Sequence, residues 1–298
     1  MVQWLTLLQR VTGKKKNKIE TQITYNHKGS SFDHKAASLY SVAIHANREQ
    51  ITLGISNPKT GEVIEVSQYE TQGKNEKEKL ESLVKNTDVS DIFKGSTKTI
   101  FYSTSSNFTL IPSVFFNNKT THELVKPVLE IQDGEEILTT FIPEIDGYIA
   151  FAQKKEITNL LKSNIGHVHI RHHFGSLIST YHLYYAKESV LMAFIQYHNK
   201  TFTLCLMNGK KMVSFNVFNL NSFEDVVYYT YYSMEQFNFS PADTEIHIGG
   251  DYSNNQEVLT TLQRYTSRLF HLKPLCCKDL EPNKADALIN TIFDIQCG

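Results

Sequence analysis

YSVAIHANREQITLGISNPKTGEVIEVSQY (residues 40–69) is the stretch that decides the fold. Val42 and Ile44 alternate with small or polar residues, and Ile51, Leu53 and Ile55 alternate in the next segment. That period of two is the mark of a strand. Asn57-Pro58-Lys59-Thr60-Gly61 is a strong turn, because Pro presets one backbone angle and Gly permits a positive one. Val63, Ile64 and Val66 begin a third strand. Three strands joined this tightly form an antiparallel meander, over 40–46, 50–56 and 62–69. A charged helix over 74–85 and an apolar strand over 99–104 follow. A strand reached through a helix is the parallel crossover arrangement.

The same order returns in VLMAFIQYHNKTFTLCLMNGKKMVSFNVFN (residues 190–219). Its strands are expected over 190–197, 201–208 and 211–219, with Asn208-Gly209 as the hairpin turn. Ser222 then caps a tyrosine-rich helix that runs to Phe237, with Glu224 and Asp225 in its first turn. A strand over 244–248 follows. The offset between matching strands is about 150 residues throughout, so the spacing repeats although the letters do not. Helices over 256–269 and 286–295 complete this half.

Between the copies, residues 107–148 are broken by Pro112, Asn117-Asn118, Pro127, Asp133-Gly134, Pro143 and Asp146-Gly147. This region reads as an insertion, with a short helix over 108–116 and two strands over 137–142 and 148–152. A helix over 155–163, a strand over 168–171 and an amphipathic helix over 174–185 lead into the second half. The organisation expected is an N-terminal extension (1–35), a first lobe (36–186, insertion near 107–150) and a second lobe (187–298).

The formal net charge is -1, so nothing draws the chain electrostatically to nucleic acid or an anionic membrane. Lys14, Lys15, Lys16 and Lys18 form the only basic run, read as a solvated segment. No stretch approaches about 18 consecutive apolar residues, so no membrane span is expected. The residues at the start run opposite to a secretory signal, and the chain reads as cytoplasmic. Of four cysteines, Cys205 sits inside a strand as a core residue. Cys276, Cys277 and Cys297 read as reduced thiols, since adjacent cysteines suit neither a relaxed disulfide nor zinc spacing.

Two copies of strand–strand–strand–helix–strand–helix give two mixed five-stranded sheets flanked by helices, an α/β fold of two duplicated lobes. This pattern resembles the actin-like ATPase superfamily, whose lobes are ribonuclease H-like. More narrowly, Phe32-Asp33, the meander and the duplicated layout look like a bacterial family of uncharacterised proteins with that fold and no assigned activity.

The resemblance implies ATP and magnesium in a cleft between the lobes. In working members the first hairpin of each half carries an acid and small residues. Backbone N–H groups of a tight turn approach phosphate there, while the carboxylate holds hydrated magnesium. Here the first turn reads Ile44-His45-Ala46-Asn47-Arg48-Glu49 and the second Ile195-Gln196-Tyr197-His198-Asn199-Lys200. Both lack the strand-end Asp and the glycine. No catalytic residue is therefore assigned, and no cofactor is expected. Gly249-Gly250-Asp251 resembles the superfamily's adenosine-contact turn, which would make these three the nucleotide-binding residues. The competing reading is a tight strand-to-helix turn packed on a neighbour.

His167, His169, His172 and His173 fall within seven residues, and on a strand His167 and His169 share a face. With no acidic partner nearby in sequence they read as ordinary polar residues, and no metal site is assigned. Ser103-Thr104-Ser105-Ser106 reads as a solvated loop. Tyr228, Tyr229, Tyr231 and Tyr232 read as core packing with hydroxyls at the rim, or as a partner surface. The function expected is a non-catalytic binding or scaffold protein with an unknown protein partner. The alternative is a divergent ATPase or small-molecule kinase, with Glu49, Asp251 or Glu144 replacing the absent acids.

Overall fold

The computed structural model describes residues 22–28, 38–46, 50–71, 73–198, 200–250, 256–273, 288 and 290–295. The basic run at Lys14–Lys18, Phe32, Asp33, Asn47, Arg48, Glu49, Asn199, Asp251, Cys276, Cys277 and Cys297 lie outside the described residues.

The strands of the first half are β1 (Gln22–Lys28), β2 (Ser41–Ala46), β3 (Ile51–Ser56), β4 (Val63–Glu70) and β5 (Lys98–Ser103). Helices α1 (Glu76–Val84) and α2 (Thr87–Gly95) separate β4 from β5. Next come β6 (Phe108–Pro112), α3 (Thr121–Val125), β7 (Glu135–Ile142), β8 (Gly147–Lys154), α4 (Lys155–Asn164), β9 (Val168–His172) and α5 (His173–Thr180). The second half holds β10 (Leu191–His198), β11 (Thr201–Asn208), β12 (Lys211–Asn219), α6 (Phe223–Gln236), β13 (Thr244–Gly249), α7 (Gln256–Gln263) and β14 (Leu269–His271).

The repeat is topological. One sheet runs β4-β3-β2-β5-β9 and the other β12-β11-β10-β13-β14. In each, the meander is antiparallel and two further strands add in parallel beside its first strand. The first sheet gains a sixth strand that the sequence pattern did not reveal, because β1 pairs antiparallel with β4. β6, β8 and β7 form a separate three-stranded sheet in the order β6-β8-β7.

Two local expectations are corrected. Residues 108–112 form a strand, not a helix. Thr109 and Ile111 are β-branched and Pro112 has no N–H for a helix interior, while β8 offers a full antiparallel ladder. The helix expected over 256–269 ends at Gln263, because Leu269, Phe270 and His271 pair with β13.

Each large sheet is covered on both faces, which is why β2, β3 and β13 are buried along their whole length. Leu80, Leu83, Ile157 and Leu161, from α1 and α4, close one face of the first sheet over Val42, Ile44 and Leu53. The other face carries Ala43, Val66, Ile100 and Tyr102, under Leu288, Ile292 and Ile295. On the second sheet α6 and α7 cover one face through Val226, Met234, Val258 and Leu262. α5 and Phe293 cover the other through Phe174, Leu177 and Ile178. The C-terminal helical residues 290–295 thus touch the inner faces of both sheets.

Gly54 makes room for that segment: a Cβ there would overlap the Ile295 side chain. Gly54→Ala is expected to cost ~1–3 kcal/mol through overpacking. Adding Ile295→Ala should recover part of that loss, a coupling that urea unfolding of both single variants and the double variant measures.

Candidate functional site

Strand alternation sets the site. Val42 and Ile44 face α1 and α4, so Ala43 and His45 face the opposite way, toward Leu288 and residues 290–295. His173 opens α5 directly after β9. His172 caps that helix, its Nδ1 accepting from the Phe174 N–H at 3.1 Å. Asp294 lies on the C-terminal segment, fully buried.

These three elements bring His45, His173 and Asp294 together. His45 Nδ1 lies 2.7 Å from Asp294 Oδ2, and His173 Nδ1 lies 2.9 Å from Oδ1. An ionised carboxylate only accepts, so both imidazoles donate from Nδ1. The Tyr102 hydroxyl donates to the Asp294 carbonyl at 2.7 Å, which holds the backbone as well. Burial pushes the Asp294 carboxyl up, but His173 and His45 beside it outweigh that and hold it below its ordinary value. His198 meets His173 edge to face, with ring centroids 5.3 Å apart. Burial, with His173 and His45 close by, pushes His198 well below the ordinary imidazole value, so it is neutral. His172 is likewise neutral, pushed down to about 3 by burial against the opposing bond to Ser105, whose carbonyl lies 2.8 Å from Nε2.

The second half joins through Gln196 and Tyr197. Gln196 Nε2 donates to Asn290 Oδ1 at 3.0 Å, and Asn290 Nδ2 donates to the Tyr197 carbonyl at 3.3 Å. The Gly-Gly turn abuts the same residues. A Cβ on Gly249 would overlap Gln196 Oε1, and one on Gly250 would lie 2.6 Å from the Tyr197 carbonyl oxygen. Gly250 also has φ of +91°, a region where side chains are strained.

The other candidates are dispersed. His167 and His169 are exposed, and no third metal-binding donor joins them among the described residues. Glu144 accepts from the Ser179 hydroxyl at 2.7 Å and lines a cleft of about 530 Å³ with Thr140, His169 and Arg171. Ser103 is buried at the end of β5, not solvated. Tyr229 stacks on Phe218, while Tyr228 and Tyr232 stack on each other and stand exposed. The pairing of His45 with Asp294 escaped sequence reading, because the two lie 249 positions apart and no motif spans them.

Residues 29–269 match the model of the family described as Protein of unknown function (DUF3822), and the chain belongs to that family. No curated protein matches the sequence. Among solved structures, the fold is similar to a protein with actin-like ATPase fold and unknown function from Bacteroides thetaiotaomicron. That likeness has a TM-score of 0.75 at 15% identity and covers 90% of this chain and 100% of that one. A PilM–PilN type IV pilus biogenesis complex is similar at a TM-score of 0.56 and 11% identity, over 86% of this chain and 96% of that one. The fold is therefore actin-like, with two mixed sheets in the arrangement read from the repeat. No helix among the described residues is long and apolar enough to cross a membrane.

The depressed Asp294 value has a thermodynamic consequence. Its contribution to stability is present in full above the ordinary carboxyl value of 3.8 and is lost as pH falls through the lower folded value. Asp294→Asn is expected to cost ~3 kcal/mol near neutral pH, since two buried imidazoles lose their anion. Urea unfolding of both forms from about pH 7 down to about pH 2.5 should show that difference shrinking in acid.

Proposed function

We propose that this chain is a non-catalytic binding or scaffold protein of actin-like fold that works in the cytoplasm through a protein partner. One observation carries the reading: the ends of β2 and β10 are occupied by the protein's own side chains. By resemblance these are the places where nucleotide-binding relatives hold phosphate. Here they present His45 and Gln196–His198, and residues 290–295 press against both through Asp294 and Asn290. An imidazole–carboxylate cluster this buried offers phosphate oxygens neither bare backbone N–H groups nor room.

The Gly249–Gly250 turn belongs to the same packing. Its Cβ faces meet Gln196 and Tyr197, which supports the tight-turn reading over a nucleoside contact by Gly249, Gly250 and Asp251. We take residues 36–186 and 187–298 as the two lobes, with 1–35 as an extension. Leu288, Ile292 and Ile295 reach back from the second lobe to the first sheet. A lock between lobes suits a body that presents a surface better than one that opens and closes each turnover.

The exposed apolar side chains support a protein partner. Val114, Phe115, Leu124 and Val128, in the connection between β6 and β7, are all exposed, Val114 by 80%. A similar fold in a PilM–PilN complex supports the same idea by analogy of fold alone.

Calorimetry with magnesium and ATP or ADP is the test. No saturable heat is expected up to about 1 mM nucleotide. Binding at micromolar affinity, weakened by Asp251→Ala, would instead favour a divergent ATPase or small-molecule kinase. Crosslinking in cells should also capture a protein whose yield falls at least about tenfold with Val114→Asp and Phe115→Asp together.

A further inference from the structure

We propose that His45, His173 and Asp294 form a binding site for one divalent transition-metal ion of the zinc class. Each side chain offers one ligand atom, and these atoms all lie within 4.8 Å of one another. All three residues are buried, at 8%, 1% and 0% exposure. They come from three separate elements, so the site exists only in the folded chain.

Three physical arguments point to an ion. First, two N–H donors offset only part of the cost of a fully buried carboxylate, and a dication held by the same three side chains would supply the balancing charge. Second, the hydrogen-bonded arrangement leaves a buried nitrogen unused. His173 Nε2 has no hydrogen-bond partner among the described residues, although the ring is 1% exposed. When a metal takes the Nδ1 position, the imidazole proton moves to Nε2. The His198 ring packs edge to face with His173, ring centroids 5.3 Å apart. The second nitrogen of a metal-bound histidine ordinarily carries the proton, and His173 Nε2, with no other bond among the described residues, is free to carry it. Third, two imidazoles and one carboxylate select zinc and related late divalent ions over calcium or magnesium, which prefer oxygen donors.

The ion would tie β2, α5 and the C-terminal segment at one point. It stands independently of the scaffold reading, because a structural ion is compatible with either binding or catalysis elsewhere. It also differs from the exposed His167–His169 pair, which supplies the control.

Full-length protein, stripped with chelator and titrated with zinc chloride, should bind one equivalent. Cobalt chloride in its place should give the visible absorption of a low-symmetry, nitrogen-ligated site. Melting temperature should rise by about 5 °C or more at a hundredfold excess of zinc over Kd. His173→Gln should weaken binding at least about a hundredfold, while His167→Gln with His169→Gln leaves it unchanged. If His173→Gln fails to fold, the cobalt spectrum and zinc-dependent melting of the unaltered chain decide alone. Absence of stoichiometric zinc in the unaltered chain overturns the proposal. So does zinc that is lost with the His167 and His169 substitutions, which marks an adventitious ion only.

Discussion

A single carboxylate organises the centre of this molecule. Asp294 is buried completely, and such an anion persists only where donors surround it. His45 supplies one donor from the first sheet and His173 the other from the helix against the second sheet. Tyr102 holds the same residue by its backbone. The apolar contacts of Ile292 and Ile295 with the first sheet, and of Phe293 with the second, place the segment. The hydrogen bonds then fix its register, since apolar packing alone is not directional.

The two halves share their topology and diverge in what covers their inner faces. α5 lies on the second sheet, while the C-terminal residues lie mainly on the first. The polar groups between them are nearly all imidazole, amide or hydroxyl. Their buried character favours neutral forms, as the depressed His172 and His198 show. Among the described residues, the middle layer sets the Asp294 carboxylate beside several neutral hydrogen-bonding groups. Nucleotide chemistry in related folds calls instead for flexible backbone and hydrated metal at these strand ends.

Much of the architecture was legible in the linear pattern. Alternation in Val42–Ile44, Ile51–Ile55 and Phe202–Leu206 marked strands, and Asn208-Gly209 marked a hairpin that the structure contains. Residues 108–112 and 265–271 were harder. Their fate depended on a waiting strand edge, β8 in one case and β13 in the other, and edges are not visible in local sequence. The sixth strand, β1, was hidden for the same reason.

The repeated order of elements, and the lack of acid and glycine at both hairpin turns, can be read from the linear chain. Those features are local, because strand periodicity and turn chemistry act over a few residues. What fills the place between the halves emerges from the folded packing of distant segments. His45, His173 and Asp294 meet because three elements distant in sequence are packed together by their apolar faces. No residue near any of them in sequence needs to signal that meeting, since a hydrogen bond between distant segments constrains the atoms that touch and nothing beside them.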